Sequence, residues 1–296
     1  MSSTDRRTRP PMCSSTVSRN IRSSGEPIAT PWWRGTFGSR HSTCSAGAVS
    51  DKPALFISQD DHVAVLHRLI GELGNGPVFL SGISFGGLIA LHYAIEYRRR
   101  LSGLVPMSCF AELSPQLLLL GNALRMGLIL GGTGYLQDLP LPMNLSDQWL
   151  KPLLDKLDSV KRQRWLVNDL YALQNLMESF LDFKPLTPQL SSITVPTMIV
   201  NGEFDFLTPR ALHETLRVHI SNSSLVIIPR AYHAFTLEKA ALTADLLARF
   251  AEDVLAGRWQ GNRAVWIAPE DAGRALTPFP AGYDHLRAIP VPEAPE

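Results

Sequence analysis

The chain has 296 residues, of which 45% are hydrophobic and 19% charged, with a formal net charge of +1. That length suffices for the core of one large α/β domain, and the near-neutral balance offers no field for nucleic acid or an anionic membrane. Three cysteines, Cys13, Cys44 and Cys109, are odd in number and lack Cys-x-x-Cys spacing; neither a disulfide framework nor a zinc site is indicated, and a reducing, cytoplasmic setting is expected.

The first fifty residues differ in kind from the rest. Residues 1–22 are rich in Ser, Thr and Arg, hold one acid, Asp5, and show no apolar periodicity. They lack the apolar region of a secretory signal. A transit peptide, a disordered tail and a start that is not the domain's natural beginning all fit the composition. Residues 1–30 are therefore expected to be disordered or non-native, contributing no strand. Pro31-Trp32-Trp33 reads as a strand end, followed by a turn over 34–39. Ser58-Gln59-Asp60-Asp61 is a Ser-x-x-acid helix start with Ser58 as cap, and Val63, Leu66 and Ile70 supply the apolar face behind it. Gly74-Asn75-Gly76 ends that helix.

Val78-Phe79-Leu80 is a short apolar run of the kind buried in a parallel sheet. It passes into Gly82-Ile83-Ser84-Phe85-Gly86-Gly87, and then into a helix with Leu88, Leu91 and Ala94 on its apolar face. Strand, tight turn and helix are the context in which Gly-x-Ser-x-Gly is a nucleophile elbow. The glycines are needed because the serine sits in strained backbone, where neighbours bearing a Cβ would clash. Arg98-Arg99-Arg100 suits the negative end of the helix dipole. Residues 101–110 read as the next strand. A helical insert follows over 111–190, with helical segments at 116–130, 147–157 and 159–183. No apolar run reaches membrane-spanning length, since Gly121, Asn122 and Arg125 interrupt the nearest approach. Alternation then resumes with a strand over 195–200, a helix over 209–220, a strand over 224–229 and a helix over 238–256. The tail 257–296 is expected to be an extended wrap or loose end, with Trp259, Trp266 and Tyr283 as anchors. Strands alternating with helices imply a mostly parallel, doubly wound α/β sheet.

A serine hydroxyl is a weak nucleophile and needs a base, with a third group to orient that base. Open parallel sheets place such groups in loops at the carboxyl ends of strands. Asp205 follows the strand ending Met198-Ile199-Val200, and His233 follows the strand ending Ile227-Ile228-Pro229. Glu203 is a rival acid nearer its strand end. His62, His67, His92, His213 and His219 fall within helices, where packing or surface duty is expected; His41 and His285 match no motif.

Gly82–Gly87, Asn201-Gly202-Glu203-Phe204-Asp205 and Tyr232-His233-Ala234-Phe235 together resemble the α/β-hydrolase superfamily over about residues 32–256. The resemblance implies a core at 31–110 and 191–256 with a helical lid at 111–190. It also implies a triad of Ser84, Asp205 and His233 and an oxyanion donor at the Phe85 N–H, with no cofactor and no metal. The same resemblance calls for a small-residue loop that supplies a second oxyanion donor, and for a strand beside the elbow strand. Neither has a counterpart before Pro31. The implied reaction is hydrolysis of a carboxylic ester of an apolar small molecule. The alternatives are acyl transfer on a 3-hydroxyacyl-type substrate and a weakly active or inactive ligand-binding relative. Leu117–Leu120, Leu124, Met126 and Leu128–Leu130 form an apolar surface that either lines a pocket for an acyl or alcohol group or packs on the sheet. No oligomeric state follows from the sequence.

Overall fold

A parallel sheet with both faces covered needs strands that are apolar throughout and helices on each side. The computed structural model describes residues 15–20, 37–42, 56–72, 74–159, 162 and 170–280, and its architecture is of this kind. In chain order the elements begin with β1 (Ser15–Asn20), β2 (Phe37–Ser42), α1 (Gln59–Glu72), β3 (Val78–Ile83), α2 (Phe85–Glu96) and β4 (Gly103–Met107). The insert contributes α3 (Pro115–Asp138), α4 (Leu141–Asn144), α5 (Asp147–Leu150) and α6 (Leu170–Ser179). There follow β5 (Thr197–Gly202), α7 (Arg210–His219), β6 (Ser223–Ile228), α8 (Phe235–Glu238), α9 (Ala240–Leu255), β7 (Val265–Ile267) and β8 (Thr277–Pro278). Among the described residues the sheet has eight strands in the order β2-β1-β3-β4-β5-β6-β7-β8. β3 to β7 pair in parallel, and the β2–β1, β1–β3 and β7–β8 pairings are antiparallel.

Side chains alternate across the strands with the period of two that a pleated strand imposes. Leu104, Ile199, Leu225 and Ile227 enter one core with Leu66 of α1, Leu88 of α2 and Leu216 of α7. Val105, Met198, Val200 and Val226 enter the other, against Leu242, Leu246 and Phe250 of α9. Each such side chain stabilises the fold by roughly 1.5–3 kcal/mol relative to exposure.

The start of α1 shows how local chemistry fixes an end. Ser58 Oγ accepts from the Asp61 N–H (3.1 Å), and the Asp61 carboxylate accepts from the Ser58 N–H (2.9 Å) and hydroxyl (2.6 Å). These bonds from Ser58 hold the Asp61 carboxyl below the usual carboxylate range. At the other end, the Arg100 guanidinium donates to the carbonyls of Ile70 (3.3 Å) and Gly74, satisfying acceptors that the helix leaves open.

Three expectations about the sheet are corrected. Residues 1–30 do contribute a strand: β1 pairs antiparallel with β3, with Val17 opposite Leu80 and Ser18 opposite Phe79. The edge of β3 is otherwise an apolar strand with unpaired backbone groups, and the β-branched Thr16-Val17 pair suits a pleated partner there. β2 begins at Phe37, inside the expected 34–39 turn, and forms the outer arm of this antiparallel pair; Pro31-Trp32-Trp33 lies outside the described residues. In the tail, Val265-Trp266-Ile267 extends the sheet parallel to β6, and Thr277–Pro278 closes it antiparallel. The physical cause is the same, an open β6 edge met by a β-branched and aromatic run. Trp259 does anchor the tail, donating its indole N–H to Asn222 (3.0 Å) and packing edge-on against Phe250. Tyr283 lies outside the described residues.

The insert's first helix runs on to Asp138 rather than stopping at 130. It breaks locally at Gly132, whose φ of 66° leaves the helical range. None of the described helices is long and apolar enough to cross a membrane.

Candidate active site

The elbow is built from what its residues lack. Ser84 sits between β3 and α2 at φ 55° and ψ −121°, a conformation that costs a non-glycine residue roughly 1–3 kcal/mol. Its N–H donates to the Met107 carbonyl (2.9 Å), and its carbonyl accepts from the Leu88 N–H (3.1 Å). A Cβ on Gly82 would lie 2.2 Å from the Gly86 carbonyl oxygen, and one on Gly87 would lie 2.6 Å from the Cys109 Cβ. Strand and helix therefore approach this closely only with glycine at both places. Phe85 opens α2, so its N–H belongs to the first turn, which has no acceptor within the helix. Its ring packs edge-on against His62 and Phe180.

The other two residues arrive on neighbouring loops. A Cβ on Gly202 would stand 2.6 Å from the carbonyl oxygens of both Ala231 and Tyr232, so its absence lets the loop after β6 close over the end of β5. Both carboxylate oxygens of Asp205 then lie 3.0 Å from His233 Nδ1. The same carboxylate accepts from the N–H groups of Leu207 (3.0 Å) and Thr208 (2.8 Å) and from the Thr208 hydroxyl (2.8 Å). Burial pushes this carboxyl upward, but the His233 contact and the Thr208 N–H outweigh it, and Asp205 is held below the usual range. An ionised Asp205 fixes the proton on His233 Nδ1 and leaves Nε2 as the basic nitrogen. Glu203, the rival acid, accepts from the Arg230 N–H (2.9 Å) in an exposed turn.

Several residues that hold this arrangement are not among the expected site residues. Thr208 bonds the acid and stands 3.4 Å from His233 Nδ1; its signal was available, an Asp followed at the third position by Thr just before a helix. Met107, Ser108 and Cys109, at the end of β4, each hold a different part of the site. Met107 accepts from Ser84, the Ser108 hydroxyl donates to the His233 carbonyl (3.1 Å), and the Cys109 N–H donates to His213 Nε2 (3.0 Å). Ser108 has a φ of 42°. His213 accepts through Nε2, so its Nδ1 carries the proton and donates to the Pro209 carbonyl (3.3 Å). Burial lowers His213 to about 4, which keeps it neutral at pH 7. These contacts span 104 and 125 residues, and nothing in the local sequence announces them.

Ser84, Phe85, Thr208 and His233 line one cavity of about 290 Å³. Most of its remaining wall is apolar and comes from the insert, including Leu117, Leu120 and Leu124 of α3 and Leu176 and Phe180 at α6. The α3 leucines thus divide their duties: Leu128 is buried, while Leu119 and Leu130 are exposed. Of the described residues that line the cavity, none is acidic. Asp60, His92 and Glu96 bring one potential metal-ligating atom each to within 4.8 Å of one another, but none of them lines the cavity. The loop expected to supply a second oxyanion donor is not found among the described residues.

A sheet of this order with a serine elbow, an acid loop after β5 and a histidine loop after β6 defines an α/β-hydrolase. Residues 41–240 match the model of the family described as serine aminopeptidase, S33, and the chain belongs to that family. Among curated proteins it is similar to the proline iminopeptidase of Thermoplasma volcanium, 25% identical over 207 residues, covering 60% of this chain and 66% of the relative. The proline iminopeptidase of Saccharolobus solfataricus is 25% identical over 199 residues, covering 61% and 64%. The chain thus spans just under two thirds of the length of these relatives. Among solved structures, a thermophilic esterase from Thermogutta terrifontis superposes with a TM-score of 0.64 at 21% identity, over 74% of this chain and 80% of that one. The enol-lactonase from Burkholderia xenovorans LB400 gives 0.63 at 18% identity, over 73% and 81%. At such identity the likeness is one of fold.

Proposed function

We propose that this chain is a serine hydrolase that cleaves a carboxylic ester of an apolar small molecule through an acyl-enzyme on Ser84. The observation that carries the reading is a shared cavity, lined by Ser84, Phe85 and the Asp205-paired His233, whose remaining wall is largely apolar. Ser84 Oγ attacks the ester carbonyl while His233 Nε2 takes its proton, and Asp205 stabilises the imidazolium. The Phe85 N–H donates to the oxyanion, a role worth roughly 3–4 kcal/mol per donor in well-studied sites. His233 returns the proton to the departing alcohol; water then repeats the sequence and frees the acid. The helices of 111–190 act as the lid over this cavity. A cytoplasmic setting, read from cysteine usage, belongs to the same proposal.

The relatives named proline iminopeptidases raise a different substrate, one with a free amino-terminal amine. An ammonium group calls for an unpaired carboxylate in the wall; the described lining residues include no acid, and Glu178 is already paired with the lining Arg125 (3.2 Å). This favours the ester. The test is labelling by a fluorophosphonate probe together with release of p-nitrophenol from p-nitrophenyl hexanoate. Both should be lost in Ser84→Ala, and proline p-nitroanilide should be a poor substrate for the unaltered protein. Labelling that survives the substitution removes Ser84 from its role.

A further inference from the structure

The insert and the base loop hold each other directly beside His233. The peptide unit that joins His233 to Ala234 is bonded from two sides. Its carbonyl accepts from the Ser108 hydroxyl (3.1 Å), and its N–H donates to the Asn144 carbonyl (2.9 Å). Ser108 follows β4, whereas Asn144 closes α4 of the insert. Two residues further on, the Ser146 N–H donates to Glu238 Oε1 (2.6 Å). Glu238 stands one helical turn from Ala234, whose carbonyl accepts from the N–H groups of Leu237 (2.8 Å) and Glu238 (3.4 Å). Leu145, between the two bonded residues of the insert, is buried. The contacts thus close a ring: Ala234 donates to the insert, the insert donates back to Glu238, and α8 joins the two. A peptide unit is planar and stiff, so its orientation fixes the backbone on the carboxyl side of His233 and the direction from which the imidazole reaches Asp205. With the ring open at Ser146, the Ser108 hydroxyl is left to orient that plane without a fixed partner across it.

From this geometry we infer that Glu238 is a positioning residue for the base. By holding Ser146, its carboxylate keeps the Asn144 carbonyl on the Ala234 N–H, and so keeps His233 Nδ1 on Asp205. Neither Asn144, Ser146 nor Glu238 lines the cavity, so the effect falls on proton transfer and not on substrate binding. The inference rests on His233 as the base of ester hydrolysis and adds what sets its position.

Two variants break the same bond from opposite ends. Ser146 has a φ of −72° and makes no side-chain capping bond, and Leu145 before it is extended (φ −131°, ψ 146°), so proline fits at 146 and removes the N–H. Glu238→Ala removes the acceptor, while Glu238→Gln keeps an acceptor oxygen in its place. With p-nitrophenyl hexanoate, Ser146→Pro and Glu238→Ala should each lower kcat about tenfold at a KM within about twofold. The double variant should lose no more than either alone, and Glu238→Gln should stay within about threefold of the unaltered protein. Proton NMR reads the base directly. The resonance of the His233 Nδ1 proton shared with Asp205, assigned by its absence from His233→Ala, should shift or broaden in Ser146→Pro and Glu238→Ala and hold its place in Glu238→Gln. A resonance unmoved in either bond-breaking variant overturns the inference, whatever happens to the melting temperature. So do losses that multiply in the double variant, or a Glu238→Gln protein that matches Glu238→Ala. If the unaltered protein hydrolyses no ester, the esterase reading fails and the resonance alone decides this one.

Discussion

Ser108 offers the sharpest perturbation, because one side chain combines a strained backbone with a bond to the base loop. Its hydroxyl donates to the His233 carbonyl at 3.1 Å, and its φ of 42° is unfavourable for any residue with a Cβ. Ser108→Ala keeps the strain and removes the donor, leaving a buried carbonyl unpaired, at a cost of about 1–3 kcal/mol in stability. Ser108→Gly removes the donor too but relieves the left-handed backbone by about 1 kcal/mol. The glycine variant should therefore be the more stable of the two. Both should lose kcat by a similar factor, on the order of tenfold, because the loss follows the hydrogen bond and not the fold. KM should change little, since Ser108 does not line the cavity. The assay is steady-state turnover of p-nitrophenyl hexanoate alongside denaturant unfolding. Retention of full kcat by both variants would refute the positioning argument, as would a kcat that tracks stability, with glycine close to the unaltered protein.

Other consequences follow from the same contacts. Asp205→Asn should favour the wrong His233 tautomer and depress kcat by roughly 10³–10⁴-fold, and adding His233→Ala should cost little more; additive losses would argue against a shared apparatus. Burial holds both His62 and His213 at about 4 against an ordinary 6.5. The unfolded chain then binds more protons between those values, so stability is full above pH 6.5 and falls as pH drops toward 4, by up to about 3 kcal/mol for each histidine. Asp205 acts in the same direction lower down: its depressed carboxyl stabilises the fold above the ordinary carboxylate value and that contribution is lost as pH falls through the folded one. A melting temperature that stays flat from pH 7 to pH 4.5 would contradict this. Arg210, buried with Glu214, lies beneath the Phe279 ring at 4.4 Å; Phe279→Ala should lower the melting temperature by a few degrees, corresponding to about 1–2 kcal/mol.

What the sequence disclosed and what it hid divide along a physical line. The elbow was legible because its pattern is complete within six residues: Gly82 is fixed by the Gly86 carbonyl and Gly87 by Cys109 on the neighbouring strand end, contacts that any Cβ would violate. Asp205 and His233 were legible because a parallel sheet sends both strand ends to one edge. Ser108 and His213 were not, since each bonds a group more than a hundred residues away and neither belongs to a local pattern. The terminal strands were missed for another reason. β1 and β7 lie one strand in from either edge of the sheet, and their pairing is decided by the open β3 and β6 flanks they cover; a run such as Val265-Trp266-Ile267 carries too little periodicity to announce it.

The central claim is the covalent acyl-enzyme on Ser84, and rapid-quench mass spectrometry with p-nitrophenyl hexanoate tests it most directly. A burst of about one p-nitrophenol per protein should accompany a hexanoyl adduct on the peptide that contains Ser84, and both should be absent from Ser84→Ala. Hydrolysis that persists in Ser84→Ala, or an adduct carried by another residue, would contradict the account.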